Sequence, residues 1–96
     1  KVFRHPDERI FMFRPEMNAR RFNHSARRMA MPEIPEDLFL ESCETMSAYC
    51  KNIVPRRLGE SLYLRPFMIA TEVGLGIKPA KQFLFIIFPF SIFFRC

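Results

Sequence analysis

The run FLFIIFPFSIFF, residues 83–94, constrains the fold more than any other feature of the chain. It is twelve residues long and carries no charge. A helix needs about 20 apolar residues to cross a bilayer, so this run is too short to span a membrane. Its Phe and Ile content favours β-structure. The unbroken segment QFLFIIF reads as a strand buried on both faces. With 49% hydrophobic residues and 12 Phe, the chain has the means to build a packed interior and does not resemble a disordered one.

The remaining elements follow from spacing and punctuation. KVFR and RIFMFR are short β-rich runs joined by HPDE, whose Pro and Asp read as a hairpin turn. A helix is expected from Pro15, because proline suits the first helical position and Glu16 suits the positive helix end. Phe22, Ala26, Met29 and Ala30 form its apolar stripe. Pro32 and Pro35 end it. A second helix is expected over 35–53, with Phe39, Cys43, Met46, Cys50 and Ile53 on one side. SLYLRPFMIATE reads as a strand that Pro66 places partly at an edge or bulge. VGLGIKPAK reads as a loop. The order β-β-α-α-β-β predicts an α+β fold: a β-hairpin, two amphipathic helices, then strands of a mostly antiparallel or mixed sheet.

The length of 96 residues fits one small domain or part of a larger one. Because the chain starts at Lys1 and stops inside an apolar run, it is expected to be a piece of a longer protein at least as readily as a whole domain. The net charge of +5 is unevenly spread: basic residues dominate 1–31 and 55–96, acidic ones 32–54. This is not the uniform basic face expected of a nucleic-acid binder. Cys43, Cys50 and Cys96 are odd in number and lack paired spacing, which points to reduced thiols and a cytoplasmic protein. Cys43 and Cys50 fall two helical turns apart, roughly 10 Å, beyond disulfide reach. His5 and His24 are too far apart in sequence to suggest a metal site. Asn23-His24-Ser25 matches a glycosylation acceptor by chance, mid-helix and without a secretory signal.

Two sets of residues carry candidate chemistry. Arg20, Arg21, Arg27 and Arg28 lie on the first helix. They are either a solvated basic face or include one arginine turned inward to hold an anion, for which a planar guanidinium suits phosphate. Arg21, between the apolar stripe and solvent, is the candidate. Tyr63 and Arg65 share one face of SLYLRP. They are either the wet face of an edge strand or a carboxylate site, in which Arg65 supplies charge and Tyr63 a directional hydrogen bond. GLGIK is a weak phosphate-loop signal, since its glycines can equally serve a turn with positive φ. No serine has a His–Asp context for nucleophilic catalysis, so no catalytic residue is assigned.

The blocks FRPEMNARRFNHSARRMAMP and SLYLRPFMIATEVGLGIKP, in that order, resemble the branched-chain amino-acid aminotransferases, pyridoxal 5'-phosphate enzymes of fold type IV. The resemblance runs over residues 1 to about 87. It implies that Arg21 binds the cofactor phosphate and that Tyr63 and Arg65 line the substrate site. There Tyr63 helps receive the α-carboxylate and Arg65 the distal carboxylate of glutamate. It implies that Leu75 and Ile77 reach into the neighbouring subunit of a homodimer and touch aliphatic side chains there. The implied reaction is reversible amino transfer between Leu, Ile or Val and 2-oxoglutarate. Two close alternatives are a D-amino-acid aminotransferase and an aminodeoxychorismate lyase. A more distant one is a small basic module binding RNA or another anion. Residues 1–96 match a partial N-terminal small domain, with the lysine-bearing large domain absent. Lys1, Lys51, Lys78 and Lys81 match no Schiff-base motif, so the chain alone is expected to be inactive. The resemblance ends at FPFSIFFRC, where the family carries a small-residue turn.

Overall fold

The computed structural model describes residues 1–92. Elements follow in the order β1 (Val2–Arg4), β2 (Ile10–Met12), α1 (Pro15–Arg28), α2 (Glu36–Tyr49), a 3-10 turn (Lys51–Ile53), β3 (Ser61–Ala70) and β4 (Phe83–Ile92). The strands form one sheet in the order β2-β1-β3-β4. Every pairing is antiparallel, so the sheet is not mixed. Cys96 lies outside the described residues, as does the end of the FLFIIFPFSIFF run.

Strand alternation divides the sheet into two faces. Leu62 and Leu64 of β3 point to the helix side and join Val2, Ala19, Phe39, Cys43 and Val54 in the core. Phe85 and Ile87 of β4 pack against the same cluster. Phe22, Phe39 and Phe85 meet at ring distances of 5.5–6.0 Å, tying α1, α2 and β4 together. The opposite face of β3–β4 carries Tyr63, Arg65, Phe88 and Phe90 in cross-strand register.

β3 and β4 pair along all ten residues, whereas β1 meets β3 only at Val2 opposite Leu62. One edge of β3 is therefore without a strand neighbour beyond Leu62 among the described residues. That is where Pro66 sits, as expected of a residue with no backbone N–H to donate. Arg4 compensates for the short β1–β3 contact. Its guanidinium, 6% exposed, donates to the Val54 carbonyl at 3.2 Å, to the Lys51 carbonyl and to Glu8.

Three sequence expectations need correction. QFLFIIF is not buried on both faces: Leu84 is 50% and Phe88 57% exposed, because helices cover only one side of the sheet. The stripe of α1 is Ala19, Asn23 and Ala26, with Phe22 beside it, while Met29 and Ala30 lie exposed past the helix end. α2 stops at Tyr49 and the chain tightens into the 3-10 turn, which leaves Ile53 exposed. Asn23, whose glycosylation match was read as chance, is buried. Its side-chain amide donates to the Ile34 carbonyl at 2.7 Å and its carbonyl accepts the Ile34 N–H at 2.8 Å. A single polar side chain thus satisfies the backbone of the α1–α2 link.

Candidate functional site

A cavity of about 490 Å³ lies beside Lys1, just ahead of β1, along residues 63–66 of β3. Residues from both faces of β3 reach it: Leu64 from the helix side, Tyr63 and Arg65 from the other. Met12 and Phe13 enter from the hairpin. Asn18, Arg21, Phe22 and Ser25 come from α1, and Phe39 and Cys43 from α2. The lining also includes Lys1, and no Asp or Glu among the described residues. Three cationic residues around a hollow without carboxylates favour an anion.

The pairing of the α1 arginines explains why Arg21 is the one available. Arg20 reaches Glu36 at 3.6 Å, and Arg27 is paired with Glu33. Arg21, one position round the helix from Arg20, meets no carboxylate among the described residues. Its Nη2 donates to Asn18 Oδ1 at 3.1 Å, a contact within α1 that steadies the side chain and leaves its charge uncompensated. Arg28 is exposed and does not line the cavity.

Tyr63 and Arg65 come together as their alternation demands. Arg65 Nη2 donates to Tyr63 Oη at 3.4 Å, and the guanidinium carbon lies 5.3 Å from the ring centroid. Tyr63 is half-buried and Arg65 exposed, so the arginine does not bear the cost of burial without a counter-ion. The phenol oxygen, having accepted from Arg65, keeps its own proton for a further acceptor.

Leu75 and Ile77 do not line the cavity. Both are fully exposed in the β3–β4 loop, as is Val73. A Cβ placed on Gly74 or Gly76 would meet nothing, and neither residue has positive φ. The turn reading of these two glycines is therefore corrected. The glycine that does need positive φ is Gly59, at 85°.

Sequence reasoning missed Asn18 and Cys43 as cavity residues. Cys43 had looked like one more position on an apolar stripe. It is buried, and burial pushes its thiol up from the ordinary 9.0, so it is held neutral. Cys43 and Cys50 are both free thiols, as expected. A second, more open groove of about 540 Å³ between α2 and β4 is lined by Leu38, Met46, Phe85 and Ile87. It carries Glu41 and, among the described residues, no basic residue, so it does not share the anion preference. Among the described residues no cluster of three metal-ligating side chains occurs, and no helix is long and apolar enough to cross a membrane.

No protein-family model matches the chain. Individual relatives do. It is 54% identical over 88 residues to a probable branched-chain-amino-acid aminotransferase of Streptomyces coelicolor, covering 91% of this chain and 24% of that protein. It is 49% identical over 88 residues to the branched-chain-amino-acid aminotransferase of Mycolicibacterium smegmatis, with the same coverage. It is 42% identical over 98 aligned positions to that of Helicobacter pylori, covering 99% of this chain and 29% of the relative. The chain thus spans about a quarter of the length of the curated relatives it matches. By sequence, the chain belongs to the branched-chain-amino-acid aminotransferase family.

Proposed function

We propose that the protein bearing this chain transfers amino groups reversibly between branched-chain amino acids and 2-oxoglutarate, and that residues 1–96 form a partial small domain of it, providing one wall of the site. The observation that carries the reading is convergence. Arg21 from α1 and the Tyr63–Arg65 pair from β3, far apart in sequence, line one cavity that has no carboxylate among its described lining residues.

The cavity fits an anionic cofactor such as pyridoxal 5'-phosphate. Arg21 brings a forked guanidinium without an acidic partner, suited to a phosphate. When bound, that cofactor supplies the electron sink of the amino transfer. The chain's own residues bind and orient: Arg21 the phosphate, Tyr63 the α-carboxylate and Arg65 the distal carboxylate of glutamate. Phe22, Phe39 and Leu64 give the same cavity apolar walls for aliphatic side chains. One methylene in such a pocket changes binding by about 1–3 kcal/mol, so acceptance of Leu, Ile and Val together is expected. The fully exposed Leu75 and Ile77, on a loop whose glycines no described residue crowds, support a role against a second subunit of a homodimer. No lysine here is assigned the Schiff-base role, and the 96 residues alone are expected to turn nothing over. The protein is expected to work in the cytoplasm, without nucleic acid or membrane as a partner.

Pyridoxine 5'-phosphate, which lacks the aldehyde and so cannot form adventitious Schiff bases with surface lysines, is the probe for the phosphate site. Titrated into the 96-residue protein, it should bind more tightly than unphosphorylated pyridoxine. Arg21→Ala should weaken it by about tenfold, the size of one charge-assisted contact. Equal affinity for the two compounds, or no effect of Arg21→Ala, contradicts the phosphate role.

A further inference from the structure

Tyr63 has a second neighbour besides Arg65. The β3–β4 register sets it opposite Phe90. The two rings stack with centroids 4.8 Å apart and planes 29° apart. An aromatic pair at this distance contributes beyond its buried area and favours one relative orientation of the rings. That orientation matters because a strand residue readily occupies two χ1 rotamers. Only a conformer that leaves Tyr63 Oη near Arg65 permits the 3.4 Å hydrogen bond between them. The core does not fix the tyrosine from behind, because Tyr63 lies on the sheet face away from the helices. Phe90 is itself 39% exposed, so its ring is not needed to fill the interior. Among the described residues its other aromatic neighbour is Phe88, at 6.1 Å.

We infer that Phe90 is a positioning residue: by stacking on Tyr63 it holds the phenol beside the Arg65 guanidinium, so that the two form a preset pair of donors for a carboxylate. The inference rests on the reading of Tyr63 and Arg65 as carboxylate-binding residues. In the arrangement held by Phe90, Tyr63 accepts from Arg65 and keeps its own O–H to donate, while Arg65 keeps its remaining N–H groups. Ordering these two side chains in the fold removes that entropic cost from the binding step.

The chain has two tyrosines and no tryptophan, which makes the test direct. Tyr49 is 90% exposed and serves as the internal reference. The 96-residue protein, carrying 13C-labelled tyrosine, is titrated with glutarate, a five-carbon dicarboxylate, and followed by NMR. In the wild-type protein, glutarate should shift the Tyr63 ring signals and leave those of Tyr49 in place. Phe90→Leu keeps an apolar residue but removes the ring. It should abolish the ring-current displacement of Tyr63 and weaken glutarate binding roughly threefold to tenfold, the scale of one aromatic pair. Phe90→Tyr, which can still stack, should restore wild-type affinity. Leu84→Ala, on the same exposed face but opposite Ile69, should leave it unchanged. A wild-type Tyr63 shift together with unchanged affinity in Phe90→Leu overturns the role of Phe90 alone. So does an equal loss in Leu84→Ala, which would mark a general effect on the strand. Absence of any Tyr63 shift in the wild-type protein overturns the carboxylate reading and this inference with it.

Discussion

The arginines of the hairpin end and those of the cavity are chemically identical and serve opposite ends. At the hairpin, Arg4 and Arg56 both reach Glu8, and Arg4 also donates to two backbone carbonyls of the α2–β3 connection. Each guanidinium there has a protein partner, and the partnership holds β1 against the rest of the sheet. At the cavity, Arg21 and Arg65 hydrogen-bond, among the described residues, to the neutral side chains of Asn18 and Tyr63. Charge satisfied within the chain stabilises the fold. Charge left uncompensated around a hollow costs little while it stays wet and becomes available to an anion that enters. The contrast marks a candidate site where a count of basic residues does not, since the basic surplus extends over both ends of the sequence.

The comparison can be broken at its shared foundation. Phe39 is 2% exposed, joins the aromatic contacts that link the helices to β4, and lines the cavity. Phe39→Ala should cost about 3–5 kcal/mol of stability in denaturant unfolding, harming both regions at once. Arg4→Met separates the regions. It should cost about 2 kcal/mol, because the Val54 and Lys51 carbonyls lose their donor, yet leave pyridoxine 5'-phosphate affinity close to wild type. Loss of that affinity in parallel with stability would show that the two arginine groups are not independent.

The smallest effect sharpens the contrast through pH. The hydrogen bond from Arg56 is the largest cause holding the Glu8 carboxyl below its usual 4.5, with Arg4 acting in the same direction. The native state therefore binds fewer protons than the unfolded one in the acidic range. The contribution is present above about pH 4.5 and is lost as pH falls through the lower native value. Thermal unfolding of wild type and Arg56→Gln should diverge at pH 6 and converge toward pH 3. A gap that persists at pH 3 would mean that Arg56 acts by packing instead of charge. Arg21→Ala should show no comparable pH-dependent gap, since no carboxylate among the described residues pairs with Arg21.

How much of this was legible in the sequence differs by residue. The start of α1 at Pro15 and the facing of Tyr63 with Arg65 were readable, because proline chemistry and strand alternation act over a few residues. The outer face of β4 was misread. A continuous apolar run looks the same whether one side of the sheet is covered or two, and only the placement of the helices distinguishes them. Met29 and Ala30 were misassigned for a related reason: helical spacing identifies a face but not where the helix stops. The role of Asn23 was hidden because its partner, Ile34, lies eleven residues away across a turn.

By itself, the sequence determined the order of the elements, the hairpin, the heptad-like spacing of α2 and the kinship with branched-chain aminotransferases, since all of these are written in local spacing and residue identity. Only the tertiary structure decided which arginine of α1 faces a hollow and which face a carboxylate, and that the hollow gathers α1, α2 and β3 around one space. It also decided that Phe90 rests on Tyr63. Each of these depends on how separate elements meet in space. Coulombic pairing and ring stacking act over a few ångströms, while the residues concerned are up to tens of positions apart along the chain.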